Sequence, residues 1–269
     1  MHPLIAALLG VIEGLTEYLP VSSTGHLILA GYLLGQKGDA AGAFEIVIQL
    51  GAVLAVVVHY RALLARHTAG IFARKAESLR LLLALGVAFA PTVVVGLLAR
   101  KAIKAYLFGP LPVAAALVVG GVIMIVVERV RSKRGIVGET GLEHVTPGRA
   151  LAIGFGQCVS MWPGSSRSMC TIVAGQLTGL STTTAAEFSF LLALPTLGAA
   201  TAYEAYKSRH ELASSSIGGV NLAIGLVVSF LVAWAVIAAF LKYLQRRGLE
   251  PFGYYRIVVG VVVFWLLAR

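Results

Sequence analysis

Two carboxylates four residues apart, Glu13 and Glu17, are followed by Pro20-Val-Ser-Ser-Thr-Gly-His26 inside an otherwise apolar segment. Positions i and i+4 share one helix face, so the carboxylates stand side by side. A divalent cation offsets their mutual repulsion, and such an oxygen pair suits Mg²⁺ or Ca²⁺ bound jointly with phosphate oxygens. Pro20 stops the helix, and Ser22, Ser23, Thr24 and Gly25 then make a polar, phosphate-compatible turn. His26 lies within one helical turn of Ser22 and Ser23. It can serve as general base for a serine or general acid for a leaving oxygen. Spacing alone does not choose between the two serines.

A second stretch, Pro163-Gly-Ser-Ser-Arg-Ser-Met-Cys-Thr171, reads as an anion site. Its Gly and Ser residues permit a tight turn that opens a helix, whose first N–H groups favour negative charge. Arg167 presents a planar fork for two phosphate oxygens. Ser165, Ser166, Ser168 and Thr171 can donate hydroxyls.

These residues sit in a chain of unusual composition. Of 269 residues, 58% are hydrophobic and 13% charged, where soluble domains carry roughly a quarter charged. Apolar runs near 44–60, 81–99, 111–128, 185–203, 217–241 and 254–268 approach the ~20 residues that cross a bilayer as a helix. The runs are continuous, which excludes the alternation of a β-barrel. An ionisable side chain at membrane depth costs roughly 2.5–3.5 kcal/mol, so Glu13, Glu17 and Arg167 require partners or a function.

The net charge of +10 does not point to nucleic acid. The basic residues gather in loops holding Arg61, Arg66, Arg74, Lys75 and Arg80, then Arg129, Arg131, Lys133, Arg134 and Arg149, then Lys242, Arg246 and Arg247. Such clusters mark the cytoplasmic side. They share one side only if segments 1–36 and 150–180 each enter the membrane and return. Cys158 and Cys170 form neither a disulfide framework nor a metal pair and read as buried small residues. His2, His59, His67, His144 and His210 lie at loop or helix ends and read as structural.

A helix over 1–17, a break over 18–25 and a short helix over 26–36 make a re-entrant hairpin, tolerated at membrane depth only when buried or lining a cavity. Three crossings follow, the second with a kink expected at Pro91. The pattern restarts at 150: Gly10-x-x-Glu13 is echoed by Gly154-x-x-Gln157, Pro20-x-Ser22-Ser23 by Pro163-x-Ser165-Ser166, and Phe44-Glu45 loosely by Glu187-Phe188. The expected fold is an all-α integral membrane domain over 1–269. It comprises a first half 1–128 with hairpin 1–36, a linker 129–149, and a second half 150–269 with hairpin 150–180. Three crossings per half is an odd number, so the halves insert with opposite orientation, an architecture common among transporters. Both termini and the first hairpin are expected to face outward.

Glu13-x-x-x-Glu17, Pro20-Val-Ser-Ser-Thr-Gly-His26 and Pro163-Gly-Ser-Ser-Arg-Ser-x-x-Thr171 resemble the two signature regions of the undecaprenyl-pyrophosphate phosphatase family, also called the bacitracin-resistance protein family. The resemblance covers both motifs, their separation and the flanking crossings. It implies a bacterial inner-membrane enzyme that removes the terminal phosphate of undecaprenyl pyrophosphate, supplies the lipid carrier for peptidoglycan synthesis, and confers bacitracin resistance. It further implies a divalent cation at Glu13 and Glu17, catalysis by Ser23 and His26, and phosphate binding by Ser166, Arg167, Ser168 and Thr171. The expected partners are the lipid substrate and bilayer lipids, with no nucleic acid; a homodimer is compatible with this reading. Attack by Ser23 and attack by a bound water are both open. The competing class is a lipid-phosphate flippase or anion transporter on the same fold, which has no need of a serine–histidine pair.

Overall fold

A computed structural model describes residues 1–36, 38–107, 109–209 and 218–267; His210 lies outside them. The described residues are helical, joined by short turns. In chain order the helices are α1 (Pro3–Thr16), α2 (Ser23–Leu33), α3 (Asp39–His59), α4 (Arg61–Phe72), α5 (Ala76–Tyr106) and α6 (Pro110–Lys133). After a 3₁₀ turn at Leu142–His144 come α7 (Pro147–Val159), α8 (Arg167–Leu177), α9 (Thr182–Lys207), α10 (Gly218–Leu244) and α11 (Glu250–Leu267).

Within α3, α5, α6, α9 and α10 lie five spans long and apolar enough to cross a membrane. The sixth expected crossing, 254–268, falls in α11, which is not among those five. Much of the outer surface is apolar: Leu82, Leu83, Leu97 and Leu98 of α5 and Val258, Val261 and Trp265 of α11 are exposed. That is the surface a bilayer covers. α5 continues through Pro91, and α6 extends through Lys133, into the stretch expected to be linker.

Between two helices in lipid there is little hydrophobic drive, so close backbone contact matters more. The helix pairs use small residues for it. A Cβ at Gly14 of α1 would stand 2.7 Å from the Ser229 carbonyl of α10, and one at Gly121 of α6 would stand 2.6 Å from the Gly253 carbonyl of α11. One buried cluster centres on Tyr18, Phe188, Phe190 and Phe240, and a smaller one on Leu9, Leu27, Phe44 and Ile48.

Two pairs of short helices interrupt this frame. α1, at 14 residues, spans about 21 Å at 1.5 Å per residue, less than the hydrocarbon core. It stops at Thr16 and the chain re-enters helix at Ser23, earlier than the expected start at His26. The reason is local: the Ser22 hydroxyl caps α2 by accepting from the Gly25 N–H at 3.3 Å, which makes Ser23, Thr24 and Gly25 the first helical turn. α7 and α8 are broken in the same manner between Val159 and Arg167, and Ser166 caps α8 by accepting from the Met169 N–H at 3.3 Å.

Candidate active site

Both breaks end on a serine in the left-handed region, Ser22 at φ 75° and Ser166 at φ 71°. A side chain there carries strain that surrounding contacts must offset. The repeat is therefore in register at Ser22 and Ser166, the same 144-residue offset that relates Glu13 to Gln157. The sequence pairing of Ser22 with Ser165 is one residue out. The corrected register puts Ser23 and Arg167 at equivalent places, each the first residue of its helix.

The two breaks meet around Glu17. Its Oε2 accepts a 2.5 Å hydrogen bond from the Ser23 hydroxyl. Its Oε1 accepts from Arg167 at 3.3 and 3.4 Å. The ion pair is almost wholly buried, with side-chain exposures of 9% for Arg167 and 5% for Glu17. Arg167 is steadied from behind by Ser189 of α9, whose carbonyl and hydroxyl accept at 3.0 and 3.2 Å. Thr171 braces the same point, with its hydroxyl 2.6 Å from that of Ser189. The guanidinium carbon lies 5.8 Å from the centre of the Tyr18 ring, where the ring face favours a cation.

A cavity of about 210 Å³ opens beside this constellation. Of the expected residues, Glu17, Ser22, Ser23, Thr24, Ser166 and Arg167 line it. Others act at its margin. Ser168 donates to the Leu19 carbonyl at 2.9 Å and so ties the second break to the first. Ser165 is committed to its own turn, donating to the carbonyls of Trp162 and Val159 at 2.6 and 3.0 Å. Gln49, Thr92, Gln157 and Thr196 complete a polar wall that sequence reasoning did not assign.

His26 departs from its expected geometry. It makes no hydrogen bond to Ser23, whose hydroxyl is held by Glu17. Instead Nδ1 lies 2.8 Å from the Ser22 carbonyl and Nε2 lies 2.7 Å from the Tyr255 hydroxyl. Spacing gives His26 reach to Ser22, but to its carbonyl rather than its hydroxyl, because Ser23 opens the helix and turns toward α1 while His26 turns toward α11.

Glu13 is fully buried, and no hydrogen-bond donor reaches either carboxylate oxygen. Its charged neighbours are Glu17, Glu45 and Arg167. Among the described residues no group of three or more His, Cys, Asp or Glu side chains gathers as a metal site. The two unpartnered buried oxygens of Glu13, beside the Glu17 carboxylate, fit a hard divalent cation that takes its remaining ligands from phosphate and water.

Comparison with known proteins identifies the family. A family model described as bacitracin resistance protein BacA matches residues 6–262. The chain belongs to the bacitracin resistance protein family. It is 62% identical over 261 residues to the undecaprenyl-diphosphatase of Sorangium cellulosum (strain So ce56), covering 97% of this chain and 85% of that one. It is 45% identical over 266 residues to that of Solidesulfovibrio magneticus, covering 97% of each chain. Against the undecaprenyl-diphosphatase of Albidiferax ferrireducens it is 46% identical over 259 residues, covering 96% and 92%.

In this member of the bacitracin resistance family, a further cation locks the two breaks together. Arg256 of α11 is fully buried and donates to four carbonyls: Pro20 at 3.1 Å, Ala116 at 3.1 Å, Gly164 at 2.9 Å and Ser165 at 3.0 Å. Sequence reasoning missed it, although a lone arginine in the apolar run 254–268 carries the same signal that singled out Arg167.

Gly164 makes the close approach possible. It sits at φ 95°, and a Cβ there would lie 2.5 Å from the Val113 carbonyl. Gly164→Ala is expected to destabilise the protein by about 2 kcal/mol through backbone strain alone, with the clash adding to it. Thermal unfolding in detergent reads the effect, and an unchanged melting temperature would count against a rigid second break.

Proposed function

We propose that this protein is a membrane phosphatase that hydrolyses undecaprenyl pyrophosphate to undecaprenyl phosphate and inorganic phosphate. In that role it recycles the lipid carrier for peptidoglycan synthesis and confers bacitracin resistance. The observation that carries the reading is the Ser23–Glu17–Arg167 constellation beside a polar cavity, in a chain whose exterior is apolar. A lipid pyrophosphate needs such a polar pocket for its head and apolar helix faces for its tail.

The chemistry follows from the contacts. The Ser23 oxygen attacks the terminal phosphorus in line with the bridging oxygen. Its proton passes to Glu17 Oε2, the group already bonded to it at 2.5 Å. Glu17 gives that proton to the bridging oxygen as its bond to phosphorus breaks, and undecaprenyl phosphate leaves with Glu17 ionised again. Arg167 and the first N–H groups of α2 and α8 stabilise the charge on the transferring phosphoryl group. Water gives a proton to Glu17 and attacks the phosphorus; the bond to the Ser23 oxygen breaks, that oxygen takes the proton back from Glu17, and phosphate leaves. Glu13 and Glu17 would hold a Mg²⁺ or Ca²⁺ ion that supplies charge neutralisation to the pyrophosphate. Direct attack by water, with Ser23 only a ligand, is the rival route.

The finer topology belongs to the same proposal. The chain is a single domain of two inverted halves, 1–128 and 150–269, each opening with a re-entrant hairpin. The matching left-handed caps at Ser22 and Ser166 and the short lengths of α1, α2, α7 and α8 support it. The basic loops orient the site and both termini to the outer face of the bacterial inner membrane.

The test is phosphate release from a long-chain prenyl pyrophosphate by purified protein in detergent. Release is expected to require Mg²⁺ or Ca²⁺ and to stop on chelation. Ser23→Ala is expected to lose activity and the ability to retain labelled phosphate. A fully active Ser23→Ala would end serine attack, and no release with either cation would move lipid-phosphate transport to the front.

A further inference from the structure

The hydrogen bonds of His26 determine its protonation in the neutral state. The Ser22 carbonyl can only accept, so Nδ1, 2.8 Å away, carries the proton. Nε2 is then an acceptor, and the Tyr255 hydroxyl at 2.7 Å donates to it. The two rings lie almost parallel, 7° apart with centroids 5.7 Å apart. The Ser22 carbonyl therefore selects the tautomer, and Tyr255 holds the His26 ring in one orientation.

That orientation has a use. Ser22 is the strained, left-handed residue that caps α2. Its carbonyl is held by the His26 Nδ1–H, and Pro20 two residues earlier is held by Arg256. The consecutive residues Tyr255 and Arg256 thus grip one turn at two points, Tyr255 through His26 and Arg256 directly. What the turn presents is Ser23, aimed at Glu17.

We infer that Tyr255 is a positioning residue of the phosphatase: by fixing His26 against the Ser22 carbonyl, it holds the backbone turn that aims the Ser23 hydroxyl. The inference rests on the function proposed above. It assigns His26 a positioning role in the same turn, which agrees with the absence of a bond between His26 and Ser23. Tyr255 is 45% exposed, so Tyr255→Phe removes one hydroxyl and keeps the stacked ring without opening a void.

Two measurements test it. The first is ¹⁵N NMR of histidine-labelled protein in detergent, with the His26 signals assigned by His26→Gln. Tyr255→Phe is expected to move the His26 Nε2 resonance toward that of a ring nitrogen without a donor, and to leave the other histidines in place. The second is phosphate release. Tyr255→Phe is expected to lower kcat about tenfold and to change KM less than about twofold. The double variant Tyr255→Phe/His26→Gln is expected to be no slower than His26→Gln alone, since both act through one contact. An unmoved His26 resonance, an unchanged kcat in Tyr255→Phe, or additive losses in the double variant would each overturn the inference. The NMR measurement needs no substrate. A wild type that releases no phosphate would therefore remove the proposed activity while the His26–Tyr255 contact is still read separately.

Discussion

Glu17→Gln lowers kcat for phosphate release by about a thousandfold or more. The carboxylate does two things that an amide of the same size cannot. It takes the Ser23 proton at 2.5 Å, and removing a positioned general base typically costs 10²–10⁴-fold. It also neutralises Arg167 at the mouth of the cavity. An amide there turns its N–H₂ toward either the guanidinium or the serine and disrupts the alignment of both. Glu17→Asp separates the two effects. It keeps the charge but withdraws it by one methylene, and a displacement near 1 Å costs about 10² in rate. Melting temperatures close to wild type in both variants would show that the loss is chemical. A Glu17→Gln enzyme within tenfold of wild type would mean that another group accepts the serine proton.

Arg256→Met is expected to be the most destabilising single change in the site. Burying a cation is expensive, and replacing a buried ion pair by an apolar isostere is often neutral. The balance differs here because the partners are backbone carbonyls and cannot be removed with the charge. Pro20, Gly164 and Ser165 lie in the two breaks, where helical N–H donors are not at hand. Each buried acceptor left without a donor costs roughly 1–3 kcal/mol. A loss of about 3 kcal/mol or more follows, which for a chain of this size lowers the melting temperature by about 6–12 °C. Activity should fall with it, since the same bonds hold the Ser23 turn against the Arg167 turn. Arg256→Lys restores part of the loss at most: Nη2 alone reaches Ala116, Gly164 and Ser165, but the bond from Nη1 to Pro20 is what holds the first break, and one compact ammonium does not supply both. A melting temperature within about 2 °C of wild type for Arg256→Met would show that the breaks hold together without it.

The apolar runs, the clustered basic loops and the two polar interruptions were legible because they rest on one-dimensional physics. A helix must be long and apolar to sit in lipid, and a charge in such a run must have a partner. On that basis Glu17 and Arg167, 150 residues apart in sequence, are expected to share a site with Ser23 and the second break; of its serines Ser166 lines the cavity, while Ser165 is committed to its own turn. The caps at Ser22 and Ser166 show the limit of the same reasoning. Matching Pro-x-Ser-Ser placed the echo one residue away, whereas the 144-residue offset of Glu13 and Gln157 and the backbone angles both pair Ser22 with Ser166.

Which charged residues lie in apolar runs and where Pro20 and Pro163 interrupt them can be read along the chain, since desolvation and helix capping are local costs that each segment meets alone. Tertiary structure decided which groups face one another. Ser23 pairs with Glu17 because α2 begins at Ser23 and turns that hydroxyl toward α1. His26 pairs with Tyr255, and the breaks are clasped by Arg256, because α11 returns beside them, 236 residues after Pro20 in the first break and 92 after Gly164 in the second. Ser189 reaches Arg167 from α9 for the same reason. Spacing along a helix gives reach but not direction. The direction of a hydrogen bond is set by which neighbour arrives with the complementary donor or acceptor, and that neighbour is chosen only when the helices pack.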